Sequence, residues 1–549
     1  MQNIVTGESI VYTQEQQRCI NYQGLKRKDL LIRAAAGGGK SLVLLARAKK
    51  YIEDAKKNGK KNSVIIFTYN NVLVQVIKEW LEITVEDEQY VTISTLHKHI
   101  NKVYGTMPGI KLGNPAYEGV KNKLLTEVLQ NTSVLINNDK YLKWGNKFWT
   151  EEFTWMRSMN IYDEKDAERY FNMERAGRGH KNAMNSEDRQ IAFKMFCAYQ
   201  TAMRKKMVFD DTPQGDERLL YLSHNKNLIS DKYKYEHILI DEAQDQSMTQ
   251  MMCLKALIKE DSKGNPIGDV TICMDANQRI YKNRWKPREV FNVTSKYLSV
   301  PFRCTSQIDD FAEALKKKNI STVDEEDQEE HVIPTAVGEK PRVIRCSCED
   351  EERRYVIAQV LKWMKDDPEH TIGIMCYEND AVKKVGKWLS EKYIEYQVIK
   401  NDEDCKYSIN QPGIKLCTMH TAKGLEFMRV ILPQFYQGMI PQKWALQAKD
   451  SEEALAQQRN VAYVGMTRAM HQLLIIYNGK RSQFLDEIDK SLYDELTFEQ
   501  AVDHERKVST SKYVKREVPP EQKATSKDSL PNNDESDERP PKKKRGFTI

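Results

Sequence analysis

Apolar runs alternate with helical patterns along the first part of the chain. The runs Leu30–Ile32, Ser63–Thr68 and Tyr90–Ser94 have the length and composition of buried strands, and each precedes a stretch with apolar positions at helical spacing. Parallel strands need a long crossover connection, usually a helix, so this alternation is typical of a parallel sheet. The pattern therefore predicts an α/β fold.

The pattern changes between residues 101 and 205, where strand signals fade and helical periodicity and aromatic residues dominate. We predict a mainly helical insertion there, within a first α/β domain made of residues 1–100 and 206–298. Strand-like runs return in that domain at Glu236–Ile240 and Asp269–Met274. A second α/β domain is predicted over residues 299–500 from six further runs: Pro341–Arg345, Thr371–Tyr377, Tyr396–Ile399, Ile414–Met419, Arg429–Leu432 and Gln472–Tyr477.

Composition limits the class of protein. Charged residues make up 30% of the chain and the formal net charge is only +6, which does not by itself indicate a nucleic-acid partner. No apolar run reaches the roughly 18 residues that a bilayer span needs, and Met1–Tyr12 lacks the features of a signal peptide. We expect a cytoplasmic protein with no membrane partner, in which the ten scattered cysteines are reduced structural thiols.

The end of the chain differs from the rest in composition. From residue 503 it is rich in Lys, Glu, Ser, Pro and Asp and poor in apolar residues, which predicts a disordered, charged tail over residues 503–549. The tail contains a basic cluster at Lys542–Arg545. A nuclear localisation signal, an electrostatic clamp on DNA and a solvated tail are open interpretations of that cluster.

Residues Ala34–Ser41 read A-A-A-G-G-G-K-S between a predicted strand and a predicted helix. This is the context of a phosphate-binding loop, in which Lys40 would reach the β- and γ-phosphates and the Ser41 hydroxyl would bind Mg²⁺. Glycines let backbone N–H groups approach phosphate oxygens closely, and the loop has three: Gly37, Gly38 and Gly39. An ordinary glycine-rich turn is the alternative interpretation.

The strand-like run that ends with Ile238–Ile240 leads directly into the acidic segment Asp241–Asp245, read D-E-A-Q-D. Adjacent acids at the carboxyl end of a buried strand form the second part of a P-loop ATPase site. Asp241 would hold Mg²⁺, and Glu242 would orient and deprotonate the attacking water. The acidic segment alone also fits the first turn of a helix, but its order after the glycine loop favours the ATPase interpretation.

Further motifs follow one another between about residues 12 and 478. They are Gln16, the glycine loop, F-T-Y-N at Phe67–Asn70, T-L-H at Thr95–His97, F-D-D at Phe209–Asp211, D-E-A-Q-D, D-x-x-Q-x-I-Y at Asp275–Tyr281, P-F-R at Pro301–Arg303, H-x-A-K-G-L-E-F at His420–Phe427 and Y-V-G-M-T-R-A at Tyr463–Ala469. This series resembles the motifs of superfamily 1 helicases, specifically the UvrD/Rep branch. The resemblance implies two RecA-like parallel-sheet P-loop motor domains, with the helical insertion in the first.

The resemblance also implies roles at the ATP site, with ATP and Mg²⁺ as cofactors. Gln16 would read the adenine edge, Phe302 would stack on the base and Glu426 would contact the ribose. The residues implied to reach the γ-phosphate are Gln278, Arg303 and Arg468, of which the two arginines would act as arginine fingers from the second domain. An arginine suits this role because its guanidinium is planar, permanently charged and bidentate.

A groove for single-stranded DNA is implied in the same way. Aromatic faces stack on bases with little regard to sequence, and the residues implied to line the groove are Phe67, His97, Tyr281 and His420. Trp285 is a further stacking candidate, for which a core position is an equally open interpretation. The tryptophans of the helical region are expected in the core instead: Trp144, Trp149 and Trp155.

UvrD-type enzymes carry a second insertion between the P-F-R and H-x-A-K-G-L-E motifs. Here strand and helix signals of the second domain occupy most of the chain between Arg303 and His420, and the expected insertion point at Lys400–Gly413 is short. We therefore predict that the second insertion is absent or reduced to a loop.

The resemblance implies an ATP-dependent DNA helicase and single-stranded DNA translocase of 3′→5′ polarity, acting on single-stranded and tailed duplex DNA. ATP binding would close the cleft between the motor domains and hydrolysis would reopen it. The alternative is a DNA-stimulated ATPase subunit that works only with a nuclease or repair partner. DNA repair and a nucleoid-associated location are expectations, and the pathway stays open among repair, replication restart, recombination and defence against foreign DNA.

Overall fold

Strands and helices alternate along most of the chain. The computed structural model describes residues 11–23, 29–34, 37–109, 112–131, 141, 144–173, 184–274, 285–299, 304–319, 334, 336–400, 411–447 and 451–508. Their strands are β1 (Asp29–Ala34), β2 (Val64–Thr68), β3 (Val91–Thr95), β4 (Asn114–Pro115), β5 (Val208–Phe209), β6 (His237–Ile240), β7 (Asp269–Met274), β8 (Val293–Leu298), β9 (Arg342–Cys346), β10 (Thr371–Cys376), β11 (Tyr396–Val398), β12 (Gly413–Thr418), β13 (Phe427–Leu432), β14 (Ala469–Asn478) and β15 (Asp494–Thr497).

The α-helices of the described residues lie between these strands. Their bounds are Gln14–Ile20, Lys40–Lys57, Asn71–Trp80, Leu96–Thr106, Glu118–Asn131, Gly145–Ser158, Ala167–Asn172, Ser186–Lys205, Glu217–His224, Met248–Ala256, Pro287–Val290, Ser306–Lys316, Glu349–Asp366, Asn379–Ser390, Lys443–Gln447, Ser451–Met466, Gln483–Asp486 and Phe498–Val508.

The first sheet has the strand order β3-β2-β6-β7-β1-β8, and every neighbouring pair is parallel. Five of its strands were predicted from apolar runs, and β8 was missed. Of the residues of β8 only Leu298 is buried, because this strand lies at the edge of the sheet and has a neighbour on one side only. An edge strand tolerates polar residues, so it lacks the apolar run by which a buried strand is recognised.

The second sheet has the order β11-β12-β10-β13-β14-β9-β15 and is also parallel throughout. Six of its strands were predicted, and the missed one, β15, is again a partly exposed edge strand with the sequence D-E-L-T. Two parallel sheets with helices between their strands confirm the predicted α/β class. Both sheets belong to one compact unit that ends at Val502.

In the described residues between β3 and β6, the regular elements are helices apart from the two-residue pair of β4 and β5. Its core is rich in aromatic residues: Trp149 and Trp155 are buried there, and the partly buried Trp144 packs against the same cluster. The expectation that these tryptophans are core residues is confirmed.

A buried ion pair joins this helical region to the F-D-D motif. The Arg157 guanidinium donates to Asp210 Oδ2 at 2.6 Å, and Lys121 Nζ donates to Asp210 Oδ1 at 3.0 Å. Burial opposes ionisation of Asp210, but the charges of Arg157 and Lys121 and the hydrogen bonds from Thr212 outweigh it and lower the pKa of that carboxyl. Asp210 therefore stays ionised and joins the helices that carry Arg157 and Lys121 to the part of the chain that leads into β6.

An apolar contact joins the two sheets. Leu73 on the Asn71–Trp80 helix belongs to the same hydrophobic cluster as Met419 and Leu425, which follow β12. Gly424 has a φ of +83°, and a Cβ added there would lie 2.7 Å from Leu73 Cδ1. The loop after β12 thus approaches the first sheet at a position where a side chain has no room.

The second insertion of UvrD-type enzymes, which the sequence predicts to be absent or reduced to a loop, has no counterpart among the described residues. Every described element between β8 and β13 is a strand of the second sheet or a helix beside it, and the connection from β11 to β12 runs only from residue 399 to residue 412. Residues 401–410 of that connection lie outside the described part of the chain. This agrees with the compact form that the sequence predicts.

Two further findings concern the predictions drawn from composition. In the part of the chain that the structure describes, no helix has both the length and the apolar character needed to cross a bilayer. All nine described cysteines are free, and seven of them are buried, in agreement with reduced structural thiols. The predicted tail is described only as far as residue 508, and its basic cluster Lys542–Arg545 lies outside the described residues.

Candidate active site

The glycine loop connects β1, which ends at Ala34, to the helix that begins at Lys40. Gly37 and Gly39 have φ angles of 80° and 81°, in the left-handed region that residues with a side chain rarely adopt. A Cβ at Gly39 would lie 2.5 Å from Gln16 Nε2. The left-handed backbone therefore favours glycine at position 39, and a side chain there would also displace the end of the Gln16 side chain.

Lys40 lies at the first position of the helix and is 8% exposed. Its ammonium donates a hydrogen bond of 2.6 Å to the carbonyl oxygen of Ala34, at the other end of the loop. This bond closes the loop, because it joins the end of β1 to the start of the helix. The Lys40 ammonium is therefore held at the loop, where the sequence predicts that it binds the phosphates.

Ser41 and Asp241 meet although they are 200 residues apart. The Ser41 hydroxyl donates to Asp241 Oδ2 at 2.7 Å, which is possible because β1 and β6 are parallel and both end at the same edge of the sheet. Burial and the neighbouring charge of Glu242 raise the pKa of Asp241 to about 6. A hydroxyl and a buried carboxylate are hard oxygen donors of the type that Mg²⁺ prefers, so this pair fits the predicted metal.

Glu242 follows in an unusual backbone conformation. Its φ of 55° and ψ of 39° are left-handed, which a residue with a side chain adopts at a cost of about 1–2 kcal/mol. The Gln244 carboxamide donates a hydrogen bond to Glu242 Oε2, so the carboxylate has a fixed orientation beside Asp241. Residues held in strained conformations are common at functional sites.

A lysine of the second sheet reaches this acidic segment. Lys423, in the H-x-A-K-G-L-E-F motif, is completely buried; its ammonium forms a short ion pair with Asp245 and lies 3.5 Å from Glu242 Oε2. The ammonium also lies 5.2 Å from the centre of the Tyr69 ring. Burial opposes the charge on Lys423, but the carboxylates of Asp245 and Glu242 outweigh it and raise the pKa of Lys423 above its ordinary value.

Sequence reasoning missed this role of Lys423. The residue was part of a recognised motif, but neither its burial nor its partner 178 positions earlier in the chain can be read from local sequence. A signal was nonetheless present, because Lys423 stands between the small residues Ala422 and Gly424, and a lysine that is buried there needs an acidic partner. Asp245 at the end of the acidic segment is that partner.

Of the other residues predicted to bind the nucleotide, some are described by the structure and some are not. Gln16 is buried, accepts the Thr13 backbone N–H at Oε1 and places Nε2 against Gly39. Glu426 is half-buried beside Leu425. Three predicted residues lie outside the described part of the chain, so that nothing is added to their assignment: Gln278, Phe302 and Arg303.

Arg468 lies just beyond the Ser451–Met466 helix and is 1% exposed. Its Nε donates to the Val464 carbonyl oxygen at 2.9 Å, and a terminal nitrogen donates to the Leu425 carbonyl oxygen at 3.3 Å. Its positive charge opposes, but does not outweigh, the carboxylates that raise the pKa of Lys423. Lys423 thus reaches the acidic segment of the first sheet, while these hydrogen bonds join the Arg468 side chain to residues of the second domain.

The predicted nucleic-acid residues fall into different environments. The His97 side chain is 54% exposed, and His420 is exposed with its ring 5.5 Å from that of Tyr377 in an edge-to-face arrangement. Both histidines are accessible to a base. Tyr281 lies outside the described residues.

The structure corrects two of these predictions. Phe67 is 2% exposed in β2, where both faces of the strand are covered, and its ring packs edge-on against His99. Trp285 is also 2% exposed, and its indole N–H donates to the Gln246 carbonyl oxygen at 2.8 Å. Neither ring has a face open to a base, so Trp285 takes the core position that was the other interpretation of its sequence, and Phe67 is a core residue as well.

A glycine loop and a strand-end acid pair on one parallel sheet, with basic residues from a second sheet, define a P-loop nucleotide-binding protein. Residues 12–298 match the model of the UvrD/REP helicase N-terminal domain, and residues 396–480 match that of the UvrD-like helicase C-terminal domain. The first match alone covers more than half of the chain. The chain therefore belongs to the UvrD/REP helicase family.

Several curated relatives are similar over parts of the chain. DNA helicase II of Escherichia coli is 33% identical over 111 residues, which are 18% of this chain and 15% of that protein. The ATP-dependent DNA helicase Rep of Buchnera aphidicola is 29% identical over 25% of this chain and 20% of that protein. A DNA helicase II homologue of Mycoplasma capricolum is 23% identical over 68% of this chain and 50% of that protein. The chain thus spans half or less of the length of these relatives.

Proposed function

We propose that this chain is an ATP-dependent DNA helicase that moves along single-stranded DNA in the 3′→5′ direction. The observation that carries the proposal is the 2.7 Å hydrogen bond between Ser41 and Asp241, which joins the glycine loop to the acidic strand end. Family membership and the names of the relatives support DNA as the second substrate. The 3′→5′ direction rests on the resemblance to the UvrD/Rep branch alone.

On the first sheet the chain provides groups for binding and for hydrolysis of ATP. The glycine loop offers backbone N–H groups to the phosphates, Lys40 stabilises the charge of the β- and γ-phosphates, and Gln16 reads the adenine edge. Glu242 orients the attacking water and accepts its proton, for which the hydrogen bond from Gln244 holds the carboxylate in place. Phosphoryl transfer depends mainly on such positioning and on charge stabilisation.

Ser41 and Asp241 are the residues that would hold Mg²⁺. Their oxygen atoms are already in contact, and the buried Asp241 carboxylate lies beside another acid, an arrangement that a divalent cation stabilises. When bound, the ion neutralises charge on the phosphate oxygens and orients the phosphate groups.

The residues proposed to complete the site are Gln278 of the first domain and, from the second domain, Phe302, Arg303, Glu426 and Arg468. Phe302 would stack on the base and Glu426 would bind the ribose, while Gln278 and the two arginines would contact the γ-phosphate. Arg468 donates to backbone carbonyls in this structure, so it would exchange those acceptors for phosphate oxygens. That exchange would couple nucleotide binding to the position of the second sheet.

The proposed DNA track uses the exposed histidines His97 and His420 together with Tyr281. His97 lies on the first domain and His420 on the second. A DNA strand that contacts both histidines would therefore be displaced when the distance between them changes. Closing and opening of the nucleotide cleft would then move the strand stepwise. DNA repair and a cytoplasmic, nucleoid-associated location are the setting that we propose for this activity.

The test compares the purified chain with its Lys40→Ala and Glu242→Gln variants. We expect single-stranded DNA to stimulate ATP hydrolysis, each variant to lose about 100-fold or more of that rate, and only Lys40→Ala to weaken binding of a fluorescent ATP analogue. Lys383→Ala, an exposed lysine of the second domain, is the matched control and keeps full activity.

Strand displacement separates the remaining alternatives. A duplex with a 3′ single-stranded tail is expected to be unwound, and a duplex with a 5′ tail is not. Hydrolysis without displacement of either duplex would favour an ATPase subunit that depends on a nuclease or repair partner. DNA-stimulated hydrolysis that persists in Lys40→Ala would show that the site is assigned wrongly.

A further inference from the structure

The short helix Gln14–Ile20 lies beside the glycine loop and is fixed at several points. At its start, Gln16 places Nε2 against Gly39 and accepts the Thr13 N–H. At its end, the buried Arg47 guanidinium donates to the carbonyl oxygens of Cys19 and Tyr22 at 2.7 and 2.9 Å. The helix is therefore held as a rigid element on the adenine side of the proposed nucleotide site.

Glu15, next to Gln16, points away from the loop to a distant part of the chain. Its Oε2 accepts the Ser299 backbone N–H at 2.8 Å, and both carboxylate oxygens lie 2.9 Å from the Ser299 hydroxyl. Hydrogen bonds to an ionised acceptor are about twice as strong as those between neutral groups. One carboxylate thus fixes both the backbone and the side chain of Ser299.

Ser299 lies where the chain leaves the first sheet. Strand β8 ends at Leu298, which is paired with Ala34, the last residue before the glycine loop. The next described helix, Ser306–Lys316, already packs in the hydrophobic cluster of the second sheet. The Glu15 contact is therefore made at the first residue of the connection between the two sheets.

We propose that Glu15 is a positioning residue for the nucleotide site: it ties the Gln16 helix to the connection between the motor domains at Ser299. This inference rests on the proposed function, in which Gln16 reads the adenine edge. The contact ties the helix that carries Gln16 to Ser299, the last described residue of the chain as it leaves the first sheet. Glu15 thereby positions Gln16 through the backbone of this helix.

The expected signature is a loss of ATP affinity without a loss of chemistry. The base contributes binding that is equal in the ground state and the transition state, so its misplacement raises KM and leaves kcat unchanged. We expect Glu15→Ala to raise the KM for ATP, and the dissociation constant of a fluorescent ATP analogue, about five- to tenfold, with kcat within about twofold of the parent.

Three variants separate positioning from a general structural role. Glu15→Gln keeps one acceptor oxygen for the Ser299 N–H and a carboxamide N–H that can donate to the hydroxyl, so it should recover most of the affinity. Ser299→Ala removes the hydroxyl but not the N–H, and should raise KM about threefold. Glu53→Ala, which removes an exposed carboxylate from the neighbouring Lys40–Lys57 helix, is the matched control and should change nothing.

The experiment measures KM, kcat, analogue binding and the thermal midpoint of the nucleotide-free full chain for each variant and for Glu15→Ala with Ser299→Ala. The double variant should bind no more weakly than Glu15→Ala alone, because both changes remove one interaction. An unchanged ATP affinity in Glu15→Ala, or effects of the two changes that multiply, would overturn the proposal. A parallel fall in kcat and thermal midpoint would assign Glu15 a purely structural role.

Analogue binding needs no turnover, so the proposal is tested even if the parent chain fails to hydrolyse ATP, a result that would count against the proposed function alone. If Glu15→Ala does not fold, Ser299→Ala carries the test, and an unchanged affinity in that variant would overturn the proposal.

Discussion

Replacing Lys423 with methionine removes a buried cation from between two carboxylates at the junction of the sheets. The Lys423 side chain is 0% exposed, and its partners Asp245 and Glu242 are 1% and 10% exposed. Methionine has a similar length and fills most of the same space, so the change tests charge more than packing. Asp245 bears the larger effect, because it forms the direct ion pair while Glu242 lies 3.5 Å away.

The expected loss of stability follows from this burial. Removing one partner of a buried ion pair costs about 3–5 kcal/mol, since the remaining charge loses its counter-charge without regaining water. Replacing both charged partners by apolar residues is often close to neutral. We therefore expect Lys423→Met to lower the free energy of unfolding by about 3 kcal/mol, and Lys423→Met with Asp245→Leu to recover much of that loss.

Urea unfolding of the nucleotide-free chain measures the effect, followed by tryptophan fluorescence and by circular dichroism, because a protein with two sheets need not unfold in one step. The control is Lys383→Met. Lys383 and Asp380 form an ion pair of 2.9 Å with side chains 78% and 86% exposed, so its loss should cost less than about 0.5 kcal/mol. An equally small effect for Lys423→Met would refute the reasoning that this contact holds the sheets together.

Three further changes have defined outcomes. Gly39→Ala should weaken binding of a fluorescent ATP analogue about tenfold or more, because φ is +81° and its Cβ would lie 2.5 Å from Gln16 Nε2; unchanged affinity would contradict this. Gly424→Ala should cost about 1–3 kcal/mol in urea unfolding, since its Cβ would lie 2.7 Å from Leu73 Cδ1. Burial raises the pKa of Glu352 from its ordinary 4.5 to about 7, so the folded state holds a proton that the unfolded state releases. That contribution to stability is complete below about pH 4.5, and about 3 kcal/mol of it is lost as the pH rises through 7. Glu352→Gln keeps an acceptor for the Gln434 N–H but cannot titrate. Its urea midpoints at pH 5 and pH 7.5 should therefore differ less than those of the parent chain.

Most of the strands that the sequence predicted are buried on both faces, although the partly buried edge strands β3 and β11 were predicted as well. All five residues of β2 are buried, as are five of the six residues of β7, and such strands consist of continuous apolar runs. The edge strands β8 and β15 were missed because their exposed positions carry polar residues. Local patterns therefore report how deeply a strand is covered more directly than they report its presence.

The candidate site was predicted where its chemistry lies in consecutive residues. Lys40, Ser41, Asp241 and Glu242 each belong to a short motif that follows a strand, and parallel strands bring both motifs to the same edge. The motif resemblance was misleading for one aromatic ring. Phe67 ends in the core because neighbouring elements cover both faces of β2, as the continuous apolar run of that strand indicates, whereas the resemblance placed it in the DNA groove.

The two kinds of contact between the sheets differ in what they respond to. The packing of Leu73 against Gly424 is apolar, so its energy depends on shape and hardly at all on charge nearby. The pairing of Lys423 with Asp245 and Glu242 is electrostatic and fully buried, so its energy changes strongly when further charge enters the same cleft. A triphosphate bound by Lys40 would bring several negative charges to the carboxyl edge where Asp241 and Glu242 lie. The apolar contact would therefore be little affected by a bound nucleotide, whereas the charged contact is the part of the junction whose energy such a nucleotide would change.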